Sequence, residues 1–162
     1  MDKQQFTQEV MAREHTLYRV ARSILHVEAD QQDAVQEAIA KAWAKRSTLR
    51  DERLFATWLV RILINECRTI CRKQSRIVLQ DDWAENALGA MPMTADSDLD
   101  AIMDALPERL RLPIVLHYIE GFPVKEIARM LHCPQGTIKK RLFDARKTLR
   151  LEMEQEKEAW QL

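Results

Sequence analysis

Glycine and proline are scarce in this chain: three of its 162 residues are glycine and five are proline. Average usage of the two together is roughly 12% of residues, so turn-rich sandwiches and barrels are disfavoured and an all-α fold is predicted. The three glycines, Gly89, Gly121 and Gly136, stand too far apart to form G-x-G-x-x-G or a P-loop. Nucleotide-binding enzymes built on those loops are therefore excluded.

The N-terminal segment and the cysteines predict a cytoplasmic protein. Residues 1–9 are mostly polar where a signal peptide has its apolar core, and no stretch approaches the roughly 18 apolar residues of a membrane span. Cysteines occur only at Cys67, Cys71 and Cys133. An odd number without a secretion signal gives no reason to expect a disulfide framework.

The net charge of zero hides an uneven distribution. Residues 1–75 contain 13 basic and 10 acidic side chains, residues 76–98 contain 1 and 5, and residues 99–162 contain 11 and 10. The acidic middle stretch also holds Gly89 and Pro92 and lacks a sustained helical period. We therefore predict two small helical domains, 1–75 and 99–162, joined by a flexible linker over 76–98.

One helix of the first domain carries two different faces. At about 100° per residue, its core stripe is predicted to be Phe55, Leu59, Ile62, Leu63 and Ile70. The opposite face forms an arginine ridge, with Trp58 at its border, made of Arg61, Asn65, Arg68 and Arg72. Guanidinium groups, an amide and an indole suit unpaired nucleic acid, although an ordinary amphipathic helix with a core tryptophan fits the same pattern. In the helix before it, Asp30 is the predicted N-cap.

The second domain has the pattern of a helix-turn-helix. Residues 124–131 form a short amphipathic helix, 132–135 a turn, and a basic helix follows from about Gly136 to Arg150. Its core stripe is predicted to be Ile138, Leu142, Ala145 and Leu149. An acidic run of four glutamates from Glu152 to Glu158 is interpreted as a solvated tail. The alternative is that the run shields the basic helix within the same chain.

The outward face of the basic helix is suited to a DNA major groove. Lys139, Lys140, Asp144 and Lys147 surround Phe143, an aromatic side chain that gains a partner if it contacts a thymine methyl group. Arg141 and Arg146 lie on the flanks, where phosphate contacts fall. The alternative is a charged surface helix without a ligand.

These motifs resemble those of a known family. In the first half, Asp33-Ala34-Val35-Gln36-Glu37 and Phe55-Ala56-Thr57-Trp58-Leu59 with Asn65 resemble region 2 of bacterial sigma-70-type initiation factors of the extracytoplasmic-function group. In the second half, Leu106-Pro107-Glu108-Arg109, Glu126-Ile127-Ala128 and Gly136-Thr137-Ile138 resemble their region 4. Nearly the whole chain outside the linker is covered, in the order and spacing of that family.

The resemblance implies a non-enzymatic protein that binds core RNA polymerase and directs it to promoter DNA. Region 2 would bind the polymerase clamp helices through Asp33, Gln36, Glu37 and Lys41. It would read and melt the minus-10 element through Leu49, Arg50, Asp51, Trp58, Arg61, Asn65, Arg68 and Arg72. Region 4 would read the minus-35 element through Thr137, Lys139, Lys140, Arg141, Phe143, Asp144 and Arg146.

The resemblance also implies an inhibitor. Members of the family are usually held inactive by an anti-sigma factor, often membrane-anchored, in an envelope stress response. Three positions depart from the family pattern: Asp144 stands where many members carry arginine, Leu49 where an aromatic residue is common, and Pro123 where a hydroxyl cap is usual. Proline is well tolerated in a first helical turn.

Two other classes of function fit parts of the sequence. A helix-turn-helix repressor or activator with an N-terminal dimerisation domain explains residues 121–150 equally well but gives no role to the arginine ridge. An enzyme with a zinc site could use Cys67 and Cys71 as ligands, yet no histidine lies near them in sequence. We expect no metal, cofactor or small-molecule substrate.

Overall fold

The structure is a computed structural model that describes residues 1–80 and 98–161, with side chains for 1–77 and 100–161. The chain divides into two compact units, Met1–Met91 and Pro92–Leu162. Every regular element of the described residues is helical, which confirms the all-α prediction.

In unit 1, the described residues form four α-helices and two short 3-10 turns. The helices are α1 (Lys3–Met11), α2 (Glu14–Ile24), α3 (Glu28–Ala44) and α4 (Phe55–Gln80). The 3-10 turns, Arg46–Thr48 and Glu52–Leu54, lie in the connection between α3 and α4. The predicted base-reading loop, Leu49–Asp51, therefore lies between the two 3-10 turns.

Helix α1 is fixed at its start and at its centre. Asp2 and Gln5 form a capping box, in which each side chain accepts a hydrogen bond from the other residue's backbone N–H. Phe6 is buried, with its ring centroid 5.1 Å from that of Trp43 and 5.8 Å from that of Phe55. Edge-to-face contacts of this kind attach α1 to the ends of α3 and α4.

The core of unit 1 lies between α2, α3 and α4. On α4 the core centres on Leu59, Val60, Leu63, Ile64 and Cys67, which are all fully buried. Ile62 and Ile70, placed in the core stripe by the sequence pattern, are only half-buried. The apolar sector of α4 is therefore wider than that stripe, because the helix packs against both α2 and α3.

Two boundaries in unit 1 differ from the sequence-based expectation. Helix α3 begins at Glu28, after Val27, so Asp30 lies inside its first turn and is not the N-cap. Helix α4 continues to Gln80, so the first five residues of the segment predicted as a linker are helical. Residues 81–97, which make up most of that segment, lie outside the described residues.

Unit 2 contains α5 (Asp98–Ala105), α6 (Glu108–Ile114), α7 (Val124–Leu131) and α8 (Gln135–Trp160). Helix α6 widens into a π-helical turn over Val115–Ile119. Gly121 follows at φ 78°, a left-handed conformation that glycine adopts at little cost. Arg111, almost fully buried, donates hydrogen bonds to the carbonyl oxygens of Asp104 and Leu106 and so caps the end of α5.

Helices α7 and α8 form the predicted helix-turn-helix. Ile127, Ala128 and Leu131 are buried on α7, and Ile138, Leu142 and Ala145 are buried on α8. His132 ends α7 in the left-handed region, at φ 53° and ψ 46°. Helix α8 extends to Trp160, ten residues beyond the predicted end. The acidic run is thus a continuation of the same helix, and nearly all of its residues are exposed, as the interpretation of a solvated tail predicts.

Candidate nucleic-acid interface

The predicted arginine ridge lies on one exposed face of α4. Arg61, Asn65 and Arg72 are exposed, and Arg68 is half-buried. The Arg72 guanidinium donates to Thr69 Oγ1 at 3.1 Å, and that hydroxyl donates to the Asn65 carbonyl oxygen at 2.8 Å. These local bonds hold part of the ridge in a defined arrangement on the side opposite the core.

Trp58 lies at the border of the ridge, as the helical period predicts. Its side chain is half-buried, and its ring centroid is 5.9 Å from that of Phe55, with the ring planes tilted by 47°. The indole is therefore supported from inside the unit by the aromatic cluster that includes Phe6. The remaining exposed part of the ring borders the arginine ridge.

The loop Leu49–Asp51 is shaped by an ion pair that the sequence analysis did not identify. Asp51 accepts hydrogen bonds from the backbone N–H, the Nε and the Nη2 of Arg53, each at 3.0 Å. The hydrogen bond from the Arg53 side chain, followed by that from its backbone, lowers the pKa of Asp51 below its ordinary value of 3.8. Arg50 is exposed and Leu49 is half-buried. Asp51 thus has a structural role in the loop, in addition to its predicted role in reading the minus-10 element.

The predicted polymerase-binding face of α3 is exposed at three of its four positions. Asp33, Gln36 and Glu37 face solvent, whereas Lys41 is half-buried. Lys41 Nζ lies 2.6 Å from Glu66 Oε1 on α4 and 3.9 Å from Glu37 Oε1. The hydrogen bond with Glu66 is the main cause of a raised Lys41 pKa. Lys41 therefore links α3 to α4 and contributes less to an outward face than the other three residues do.

A second polar contact links the same two helices near their other ends. Gln74 Nε2 on α4 donates to Asp30 Oδ2 on α3 at 2.7 Å. Together with the Lys41–Glu66 pair, it joins α3 to α4 through polar side chains at two separate points. Glu66 is the only acid between Arg61 and Arg76; this isolated charge was the available sequence signal for the pair.

Helix α8 presents the predicted groove-reading face. Lys139, Lys140 and Phe143 are exposed, and 60% of the Phe143 side chain is accessible to solvent. Three further positions on the helix, Thr137, Arg141 and Asp144, are half-buried. An exposed aromatic ring between two lysines can contact a thymine methyl group while the ammonium groups contact phosphate or guanine.

Arg146 is exposed, and it has a partner within unit 2. Its Nη1 donates to the Oη of Tyr118 at 2.6 Å, and its Cζ lies 6.0 Å from the centroid of the Tyr118 ring. Tyr118 was not among the predicted site residues. It belongs to the π-helical turn, and no helical pattern in the sequence signals a turn of that kind.

The described residues contain no cluster of three or more His, Cys, Asp or Glu side chains placed to hold a metal ion. Cys67 is buried, and Cys71 and Cys133 are half-buried. Within the same residues, no helix combines the length and apolar character that a bilayer span requires.

Comparison with known protein families assigns both units. The family described as "Sigma-70 region 2" matches residues 9–77, and "Sigma-70, region 4" matches residues 96–149. A curated RNA polymerase sigma factor, SigV of Bacillus subtilis, is 33% identical over 141 residues, covering 86% of this chain and 85% of its own length. The chain belongs to the sigma-70 family, in its extracytoplasmic-function group.

Other relatives agree with this assignment. The ECF RNA polymerase sigma-E factor of Escherichia coli K12 is 31% identical to this sigma factor over 137 residues, covering 74% of this chain and 72% of its own length. The sigma-H factor of Pseudomonas aeruginosa is 28% identical over 165 residues, covering 91% and 86%. Because both DNA-binding regions are matched, a repressor or activator with a separate dimerisation domain is not favoured.

Two solved structures are similar to this sigma factor along most of its length. The sigma factor RpoE of Bartonella quintana, solved with the anti-sigma factor NepR, has a TM-score of 0.79 and 28% identity, covering 93% of this chain and 97% of that one. CnrH, solved with the cytosolic domain of CnrY, has a TM-score of 0.71 and 25% identity, covering 94% and 90%.

Proposed function

We propose that the two units read the two elements of a promoter while core RNA polymerase holds them. The observation that carries this proposal is that each unit exposes a cationic face opposite its core, the arginine ridge of α4 and the outer face of α8. A sigma factor needs both, because the minus-10 element is read as unpaired bases and the minus-35 element as duplex.

In unit 1, the loop Leu49–Asp51 and Asn65 bind bases that have left the stack, while Arg61, Arg68 and Arg72 bind phosphates. The exposed amide of Asn65 can donate to and accept from base edges, and unpaired bases expose those edges. The hydrogen bonds between Asp51 and Arg53 support this reading, since they favour one conformation at the end of the loop before DNA binds.

In unit 2, Lys139, Lys140, Phe143 and Asp144 face the major groove of the minus-35 element. The Asp144 carboxylate can accept a hydrogen bond from cytosine N4 but repels phosphate. We therefore expect the minus-35 sequence to include a cytosine near Asp144. Arg141 and Arg146, on the flanks of the helix, suit phosphate contacts, and Thr137 lies in the first turn of α8.

In unit 1, the exposed α3 residues Asp33, Gln36 and Glu37 are the proposed contacts to core polymerase. Lys41 acts there as a positioning residue, because its ammonium group is held by Glu66. Like RpoE and CnrH, which were solved with NepR and CnrY, this chain is proposed to be controlled by an anti-sigma factor. That inhibitor would cover the α3 face, in the cytoplasm or anchored at the membrane, as part of an envelope stress response.

Run-off transcription with bacterial core polymerase on a random promoter library tests the site assignments. Asn65→Ala is expected to relax selection at minus-10 only, and Lys140→Ala at minus-35 only. The matched control for Asn65→Ala is Gln4→Ala on α1, which removes a side-chain amide from another exposed position. The matched control for Lys140→Ala is Lys157→Ala on α8, which removes an ammonium group in the same way. Wild-type selection by both site variants would show that the site residues are wrong, and transcription unaffected by the chain would reject the function.

A charge reversal on α3 tests the polymerase contact and the inhibitor together. The double variant Asp33→Lys, Glu37→Lys is expected to lose core binding in gel filtration, since opposite charges at an interface become like charges. An inhibitor purified with the chain from unstressed cells should lose affinity for the same variant. An inhibitor that still binds it would act on another surface.

A further inference from the structure

Tyr118 is an exposed aromatic residue outside every predicted site. About half of its side chain, 54%, is accessible to solvent, although it lies 28 positions before its hydrogen-bond partner Arg146 on α8. The Oη of Tyr118 accepts from Arg146 Nη1 at 2.6 Å. The two side chains therefore form one polar group on the surface of unit 2.

The Tyr118 ring is held in place by the π-helical turn. The wide turn is closed by a hydrogen bond from the Glu120 backbone N–H to the Val115 carbonyl oxygen at 3.0 Å. The ring of His117 packs edge-on against that of Tyr118, with centroids 4.9 Å apart. His117 is held in turn by a hydrogen bond, in which its Nδ1–H donates to the Phe122 carbonyl oxygen at 2.9 Å, since a carbonyl oxygen can only accept. The phenol is thus positioned from both sides, by His117 and by Arg146.

The pair has the donors that a phosphate group requires. A phenolic oxygen that accepts the N–H of a guanidinium group still has its own O–H to donate. The contact with Tyr118 uses one N–H of Arg146, and a guanidinium group carries five in a planar fork that matches phosphate geometry. A phosphate oxygen only accepts, so it can accept from both side chains at once.

Arg146 is exposed at the edge of the α8 face that is proposed to enter the major groove. It follows Phe143 by three positions and Lys139 by seven, so it shares the side of α8 on which those two residues lie. A recognition helix in the major groove is bordered by phosphates on both sides. We infer that Tyr118 and Arg146 together bind one backbone phosphate beside the minus-35 element, with Tyr118 both donating to it and positioning Arg146. The inference rests on the proposed reading of minus-35 by α8.

Removing the hydroxyl group of Tyr118 tests its role. In Tyr118→Phe the ring, its contact with His117 and its contact with the guanidinium group remain. Holoenzyme carrying this variant is expected to bind a promoter recovered from the library about fivefold more weakly. The slope of log affinity against log salt concentration should stay the same in Tyr118→Phe, because no charge is lost. In Arg146→Gln that slope should fall in magnitude by about 0.9, because one phosphate contact by a cation is lost. Tyr18→Phe, at the only other tyrosine in the chain, is the matched control.

A scan with methylphosphonates identifies the phosphate and separates a contact from a merely structural effect. Each phosphate that flanks minus-35 is made neutral in turn, and holoenzyme affinity is measured for wild type and Tyr118→Phe. We expect one position at which wild type loses clearly more affinity than the variant does. If wild type and Tyr118→Phe lost the same affinity at every neutralised phosphate, the inference would be overturned. This comparison holds even if Tyr118→Phe is less stable, because a stability change lowers the variant's affinity equally at every position.

The same experiment distinguishes this inference from the proposed function. Holoenzyme whose binding depends on Lys140 but not on the Tyr118 hydroxyl would reject only the phosphate contact. Holoenzyme indifferent to Lys140 and to the minus-35 sequence would reject the proposed reading by α8, and the inference with it.

Discussion

At the scale of single residues, His132 carries a backbone strain that can be removed. It is the only non-glycine residue with positive φ in the part of the chain that the structure describes. The left-handed conformation costs most L-residues roughly 1–2 kcal/mol, and glycine adopts it freely. The position matters because the backbone N–H groups of His132 and Cys133 both donate to the Ala128 carbonyl oxygen and end α7 there.

We predict that His132→Gly stabilises unit 2 by about 1 kcal/mol. Amide hydrogen exchange in α7 and α8 measures this, because it reports on unit 2 alone. His26→Gly is the matched control: His26 is exposed between α2 and α3 and has no positive φ, so that substitution should not slow exchange in α2 and α3. Faster exchange in His132→Gly would mean that contacts of the imidazole outweigh the strain.

Asp51 gives a residue-scale prediction that depends on pH. In the variant Asp51→Asn, the side-chain amide oxygen could still accept from the Arg53 backbone, but the ion pair with the Arg53 guanidinium group would be lost. Because the folded-state pKa of Asp51 is lowered below 3.8, the carboxylate contributes stability above that pH. The contribution is lost as pH falls from 3.8 through the folded-state pKa.

The difference in unfolding free energy between wild type and Asp51→Asn should therefore be constant from neutral pH to about 5 and shrink below 3.8. Urea unfolding at a series of pH values measures it. Asp33→Asn, on the exposed face of α3, controls for loss of a surface charge. A difference that grew on acidification would reject the ion pair as its cause.

Sequence patterns succeeded at single residues where a helical period determines which side faces solvent. The exposure of Arg61, Asn65 and Phe143 follows from about 100° per residue alone. The pairs Lys41–Glu66 and Arg146–Tyr118 join residues 25 and 28 positions apart. Such pairs depend on how helices pack against one another, which no local period encodes.

At the scale of elements, the helix-turn-helix was predictable and the ends of its long helix were not. The apolar period of α7 and α8 and the turn between them specify the motif. Beyond Arg150, however, the chain contains glutamates, a lysine and exposed apolar residues such as Leu151 and Trp160. Most of these residues have good helical propensity, but they do not form a complete apolar face. The helix therefore continues because of local propensity, without packing against the rest of unit 2.

The length of α8 leads to a prediction about the acidic run. Glu152 to Glu158 lie about 14–22 Å along the axis from Phe143, at about 1.5 Å per residue. A rigid helix cannot fold this run back over its own groove-reading face, so any effect on DNA binding must act through the electric field. Charges at that distance are screened at 0.15 M salt, where the Debye length is about 8 Å, but not at 0.01 M, where it is about 30 Å.

We therefore expect deletion of residues 151–162 to change holoenzyme affinity for a minus-35 duplex by less than about twofold at 0.15 M salt and to raise it several-fold at 0.01 M. A full-length variant with Glu152, Glu154, Glu156 and Glu158 replaced by glutamine is the control, because it removes the charge and keeps the helix. Filter binding at the two salt concentrations measures the effect. A large gain at 0.15 M would mean that the acidic run lies within the screening length of the bound DNA or of the groove-reading face.

At the scale of the whole molecule, the balance of charge limits what the chain can do alone. Lys and Arg together number 25, as do Asp and Glu, so little long-range attraction draws the free protein to DNA. Each unit offers only a handful of cationic side chains to phosphates. Contacts of that number give weak, salt-sensitive binding, and non-specific dissociation constants are typically about 10⁻⁴–10⁻⁶ M at physiological salt.

We predict that the isolated chain binds promoter DNA in this weak range and with little sequence preference, whereas holoenzyme reaches about 10⁻⁸ M or tighter. Core polymerase supplies the difference by holding both units on one duplex, so that the second contact forms at high effective concentration. Fluorescence anisotropy with the promoter and a scrambled duplex of equal length measures both affinities and their ratio.

Changing the promoter spacer shows whether two contacts act together. Five additional base pairs turn minus-35 by about half a helical turn, since one turn is roughly 10–10.5 base pairs. Holoenzyme should then lose the affinity that depends on Lys140, because α8 would face the wrong side of the duplex. The isolated chain, which we expect to engage one element at a time, should be indifferent to the insertion. Tight, spacer-dependent binding by the isolated chain would mean that it holds both units in register without polymerase.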